Sequence, residues 1–440
     1  MIELSEYQAR RESLLAQMQA NSLAIIPAAQ EVTRSRDTDY IFRQNSDFYY
    51  LTGFVEPDAF LLLSNAGNFP DSVSSIIFVR PSDPEAEIWH GRRIGVSNAP
   101  STLGLDMAYS VDDLDELLPE FINGHQALYY TLNENQQADD SVQLALSICK
   151  NAPKQSMQAP SSIVDVNAII HAMRLIKSES EIALMQKSAE ISCIAHQQAM
   201  EICKPGMYEY QLEATILHQF AMYGARQAAY TTIVGSGSNA CILHYTENTQ
   251  KMKSGDLVLI DAGSEYAGYA ADITRTFPVN GKFSPAQADI YLLVLKTQLA
   301  CIDFLKPGVT IAQAMQLAVE LITEGLIGLG ILKGDVASNI KANAHREFFM
   351  HGLGHYLGLD VHDVGDYKAS NKDIALSEGM VMTVEPGVYV AVNADVPDKY
   401  KGIGVRIEDN IIIMDKGNHV LTEALPKSIE AIEALMQTAH

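Results

Sequence analysis

The sequence predicts a mixed α/β protein of two domains, the second built from two pseudo-symmetric αβ halves. Three observations carry this. In the N-terminal part, residues 1–173, short apolar runs alternate with segments of helical spacing. The tripeptide Lys-Pro-Gly occurs at 204–206 and again at 306–308, each time between two helix-like segments. Each helix pair is followed by an apolar run that ends in a carboxylate, a turn, and a returning run that ends in another carboxylate.

In chain order, residues 3–20 have helical spacing with Leu14, Leu15 and Met18 on one side. Strand-like runs follow at Leu23–Ile26, Phe60–Leu63, Ile76–Val79 and Ala127–Tyr130, with helix-like segments near Val111–Phe121 and Ser141–Lys150. The stretch 34–39 is too charged for a buried strand, and Trp89, the sole tryptophan, reads by itself as core packing. Pro153 and Pro160 mark a linker over 151–162. The second domain, 174–440, opens with a capping box, Ser178 and Glu181, on a helix ending at Lys204-Pro205-Gly206. A second helix spans about 208–223. Ser284 and Pro285 start a third helix, which ends at Lys306-Pro307-Gly308, and a fourth spans about 310–326. An insertion near 331–375 separates the second helix pair from its hairpin.

Composition narrows the function. A formal net charge of −23 disfavours binding to nucleic acid or an anionic membrane. The N-terminus has no apolar signal core, and no apolar run approaches the ~18 residues that span a bilayer. Five cysteines without C-x-x-C spacing read as reduced thiols, mostly core fillers. A soluble, cytoplasmic protein is expected.

The hairpins point to a metal. Asp261 and Asp272 are equidistant from the 264–268 turn, and Glu385 and Glu408 are equidistant from the 395–398 loop. Each pair is therefore expected to face across its hairpin. Like charges opposite one another destabilise a sheet, so cations are expected between them, two for four carboxylates. The insertion carries His351-Gly352-Leu353-Gly354-His355 and then His362, and His244 lies upstream. An imidazole beside carboxylates suits Mn, Fe, Co or Zn better than Ca or Mg. His171, His196 and His218 read as hydrogen-bonded core residues.

These residues resemble the five-ligand set of the pita-bread dinuclear metallopeptidases: Asp261, Asp272, His355, Glu385 and Glu408. Further strings resemble the aminopeptidase P branch of that family, among them Arg43 to Phe48, Gly235-Ser236-Gly237, His244 to Asn248, Asp272 to Phe277, His355 to Asp363 and Val384 to Gly387. The resemblance spans nearly the whole chain. It implies a creatinase-like N-terminal domain, a pita-bread catalytic domain and two divalent ions per subunit, Mn(II) in this branch. It makes His244, His351 and His362 active-site histidines that are not ligands. Tyr389 and Arg406 match positions that line the site or brace its ligands in that family. Asp37 and Trp89 match positions that reach a neighbouring subunit's site in tetrameric relatives, so a homotetramer is implied. Gly354, Tyr356, Lys368 and Lys372 depart from the residues expected in close relatives.

The implied activity removes the residue before a proline at the second position of a peptide. A hydroxide shared by the two metals attacks the Xaa-Pro carbonyl, His351 helps to stabilise the oxyanion, and Glu385 shuttles the proton. His362 holds the substrate or an intermediate. Prolidase, acting on Xaa-Pro dipeptides, shares the ligands and is the nearest rival. A non-catalytic pita-bread module is the rival outside enzymes, and retention of all five ligands argues against it.

Overall fold

Burial on both faces explains why the first apolar runs read as continuous rather than alternating. Strands Ser22–Pro27, Phe60–Ser64 and Ser75–Val79 are buried almost throughout. They lie inside a six-stranded sheet ordered Met107–Ser110, Ser75–Val79, Phe60–Ser64, Ser22–Pro27, Ala127–Tyr129, Ser162–Val164. The computed structural model describes residues 2–66, 69 and 73–438, and it forms two compact units, Met1–Arg174 and Leu175–His440. Helices Leu114–Ile122 and Gln136–Asn151 pack side chains such as Leu118 and Val142 into the core of this first sheet.

The charged stretch after residue 32 holds no buried strand: Thr33–Ser35 pairs with Thr38–Asp39 in a short exposed ribbon that carries Asp37. One feature of the first unit differs from the sequence reading: Trp89 is not core. It lies on helix Pro84–His90, which buries no residue, and is 79% exposed beside Ile88 at 80%.

The second unit repeats itself closely. Helices Glu179–Ile202 and Glu209–Met222 form the first pair, and Pro285–Phe304 and Ile311–Gly328 the second. Reciprocal capping boxes open three places in this scheme: Ser178 with Glu181, Ser284 with Gln287, and Thr310 with Gln313. Both Lys-Pro-Gly glycines take positive φ, +93° at Gly206 and +87° at Gly308, where a side chain would be strained. Their amides donate to equivalent carbonyls, Met252 and Leu376, and single bridges Tyr208–Lys251 and Thr310–Ala375 follow. One apolar core, from Ile191 to Met436, runs through both halves. His218 is exposed on its helix rather than buried, whereas His196 is fully buried.

Both hairpins are interrupted at the same place. In the first, Leu257–Asp261 pairs with Thr274–Pro278, and beyond a gap Ser264–Tyr266 pairs with Tyr269–Ala270. In the second, Val381–Val384 pairs with Asp409–Met414, and beyond a gap Gly387–Val390 pairs with Ile403–Arg406. Asp272, Glu385 and Glu408 lie in these gaps, and Asp261 ends its strand at one. The register of the second hairpin puts Glu385 opposite Glu408, as expected. The first is corrected: Asp261 faces Thr274, and Asp272 falls opposite Gly263. The turn is the tight Ala267-Gly268 pair, both at positive φ, which centres the hairpin one residue later than the sequence reading. The two aspartates are therefore diagonal neighbours on one face rather than direct partners.

Candidate metal centre

The two gaps and the histidine stretch converge on one cavity of about 450 Å³. Asp261, Asp272, Glu385 and Glu408 line it, with His244, His351, His355, His362, Tyr230 and Arg406. The histidine stretch reaches the cavity by running alongside the second hairpin. Thr383 N donates to His355 O, Glu385 N donates to Leu353 O, and His355 N donates to Thr383 Oγ1 at 3.1 Å. Gly354 permits this approach, since a Cβ there would overlap the Thr383 carbonyl.

One oxygen or nitrogen from each of Asp272, His355 and Glu408 lies within 4.8 Å of the others. His355 Nδ1 is 2.9 Å from the Tyr356 carbonyl, which orients Nε2 towards Asp272 at 3.4 Å and Glu385 at 3.8 Å. A backbone carbonyl holding the far nitrogen of an imidazole is the usual support of a metal-ligating histidine.

The electrostatics agree with a site built for cations. Burial together with the charges of Asp272, Glu385 and Asp261 drives the Glu408 carboxyl well above the carboxylate range. Burial also raises Glu385, to about 7, against the opposing pull of His355 and Arg406. Asp261 is raised by burial and Asp272, although Arg406 opposes the shift. Burial would lower His355, but the hydrogen bond and charge of Asp272, with Glu385 behind it, bring it up to about 9. A cation would displace whatever protons these raised carboxyls hold, and a mixed carboxylate–imidazole donor set suits Mn, Fe, Co or Zn.

A brace runs behind the carboxylates. Arg406 Nη2 donates to Asp261 at 2.5 Å, Nη1 to the Tyr389 hydroxyl at 3.0 Å and Nε to Thr274 Oγ1 at 3.0 Å. Thr274 then donates to Glu408 at 2.7 Å. Because Arg406 already donates to Tyr389, the Tyr389 proton is free for His351 Nε2, 2.9 Å away. His351 Nδ1, 2.8 Å from the Gly352 carbonyl, carries the ring's own proton. Burial and the Arg406 charge hold this imidazole neutral, with its pKa lowered to about 4. In this tautomer Nε2 accepts from Tyr389 and Nδ1 donates to the Gly352 carbonyl. His244 and His362 are exposed to the cavity, and the His362 ring meets His355 edge-on at 4.2 Å.

The model for metallopeptidase family M24 matches residues 183–415, and that for the aminopeptidase P N-terminal domain matches 7–129. The chain belongs to metallopeptidase family M24. Within that family it is 50% identical to Xaa-Pro aminopeptidase of Escherichia coli K12, over 100% of this chain and 99% of that one. Two solved structures of E. coli aminopeptidase P share 50% identity over 100% of this chain and 99% of theirs. One is the zinc-substituted enzyme in complex with product, with a TM-score of 0.97, and the other holds the inhibitor Pro-Leu, with a TM-score of 0.96. The fold is accordingly an aminopeptidase P-type N-terminal domain followed by an M24 pita-bread domain.

All five expected ligands and all three expected histidines line the M24 cavity, and Tyr389 touches it through Arg406 and His351. Asp37 and Trp89 do not line it and belong to the first unit. Sequence reasoning missed Tyr230, whose hydroxyl is 2.6 Å from both Asp261 and Asp272. It also passed over Thr274, which period-2 spacing from Asp272 places on the same face of its strand.

Proposed function

We propose that this chain is a metal-dependent Xaa-Pro aminopeptidase. The observation that supports it best is the convergence of Asp261, Asp272, His355, Glu385 and Glu408 in one cavity walled by His244, His351 and His362. The full-length relatives named above carry this activity. In this reading the five side chains hold two divalent ions, Mn(II) being the metal that the family resemblance implies. Such ions supply a Lewis acid for the scissile carbonyl and a hydroxide nucleophile near neutral pH.

The remaining work falls to this chain's own residues. Arg406 keeps Asp261 in place and, through Thr274, Glu408. Glu385 accepts the proton of the nucleophile and passes it to the proline nitrogen, which has no N–H of its own and must be protonated to leave. His362 presents an exposed imidazole that hydrogen-bonds the bound peptide, with His244 on the same wall. His351, kept neutral by burial and the Arg406 charge and held in place by Tyr389 and Gly352, shapes the cavity beside Glu385. The enzyme is cytoplasmic and a homotetramer, with exposed Asp37 and Trp89 reaching a neighbouring subunit's site. No helix among the described residues is long and apolar enough to cross a membrane.

The test is a mass-spectrometric assay of an Xaa-Pro-Yaa tripeptide, an Xaa-Pro dipeptide and an Xaa-Ala-Yaa control, with Mn(II) or chelator. Release of Xaa from the tripeptide alone, abolished by chelator, is expected. Cleavage of the dipeptide alone would reassign the protein to prolidase chemistry.

A further inference from the structure

A buried ion pair stands behind the wall of the cavity. Lys177 Nζ donates to Asp363 Oδ2 at 2.8 Å, and the two side chains are 1% and 0% exposed. They are 186 residues apart in sequence, and Asp363 directly follows His362. The surrounding loop is built to admit the pair. A Cβ on Gly358 would overlap the Asp363 carboxylate and press on Lys177 Cε, so only glycine leaves room. Asp363 N donates to Tyr356 O, and its other carboxylate oxygen lies 3.4 Å from Asp360 N, closing the loop over 358–363 on itself. Lys177 is anchored in turn by its amide, which donates to Gly379 O at the foot of the second hairpin.

Burying two charges is seldom a net gain over an apolar pair of the same size. Here the gain is geometric: the pair fixes the end of the loop that sets the His362 ring against His355. We propose that Lys177 is a positioning residue for His362, acting through Asp363 to aim the imidazole into the cavity. This rests on His362 contacting the bound peptide, as proposed above.

The experiment is a double-mutant cycle on the full-length metal-loaded protein, with kcat and KM measured on one Xaa-Pro-Yaa tripeptide. Lys177→Met is expected to lower kcat/KM by about 10- to 100-fold. In a His362→Ala background the same substitution is expected to add less than about twofold. Equal losses in both backgrounds would overturn the inference and leave His362's role standing. Full activity in His362→Ala alone would overturn that role and this inference with it. Lys177→Met takes the lysine away from a buried carboxylate and risks misfolding, so Lys177→Met/Asp363→Leu is the second variant. It is expected to melt within a few degrees of wild type and still show the loss in kcat/KM. Wild-type kinetics in that variant would also overturn the inference.

Discussion

Tyr230 sets its hydroxyl 2.6 Å from Asp272, and the same oxygen is 2.6 Å from Asp261. One phenolic proton cannot serve two carboxylates at once, so the second contact needs a carboxyl proton or a cation to relieve it. Burial and the charges of Asp261, Asp272 and Glu408 hold the phenol far above its ordinary pKa, so it remains a donor. Tyr230→Phe is therefore expected to weaken metal binding and kcat/KM, each by about 10- to 100-fold. Metal titration by calorimetry, beside kinetics at saturating Mn(II), checks it. Unchanged metal affinity would show that the hydroxyl does not orient the aspartates.

Protons held by the metal-free carboxyls give a second expectation. Glu408, Asp261 and Glu385 are all raised, Glu385 to about 7. Metal must displace whatever protons they hold, so affinity should fall as pH drops below about 7. Calorimetry in buffers of different ionisation enthalpy is expected to show net proton release on metal binding at pH 6 to 7. Chelator should lower Tm, because metal binds only the folded site. Binding without proton release would mean that the carboxyls are already ionised.

The link between the hairpins yields a third. Arg275, fully buried, donates to Asp409 Oδ1 at 2.7 Å and to the Glu408 carbonyl at 2.6 Å, while Lys427 approaches Asp409 Oδ2 at 2.6 Å. Despite burial, these two cations bring the Asp409 pKa down to about 2. Arg275→Met leaves that carboxylate short of its main partner and should cost about 3 to 5 kcal/mol. Denaturant unfolding measures this, and a loss below about 1 kcal/mol would count against the assignment.

These residues also show what was legible in the sequence. The repeat could be read because each Lys-Pro-Gly stops a helix by a local mechanism and each cap uses residues three apart. The second hairpin's register followed from spacing alone. The first was misjudged by one residue because Ala267, not glycine, starts its tight turn at positive φ. Tyr230, Arg275 and Lys177 were invisible for another reason. Their partners lie 31 to 186 residues away, and such contacts have no period or spacing to detect. Trp89 misled because a large aromatic is ordinarily inside, and nothing in its neighbours shows that its helix buries no residue.

A last prediction concerns His196, which ties helix Glu179–Ile202 to the strand carrying Asp261. Its Nε2 donates to the Ala262 carbonyl at 2.8 Å, and burial lowers its pKa from 6.5 to about 4. The folded pKa lies below the unfolded one, so the unfolded chain binds the proton more readily between pH 4 and 6.5. The contribution to stability is full above about 6.5, declines as pH falls through this window, and is gone below about 4. At about 1.4 kcal/mol per pH unit, it amounts to about 3 kcal/mol. His196→Gln keeps a donor for Ala262 and cannot titrate. Its unfolding free energy should therefore decline less steeply than wild type between pH 6.5 and 4.5, measured by urea denaturation. Parallel curves for the two proteins would mean that His196 does not titrate on unfolding, and the pH dependence would have to be sought in the carboxylates.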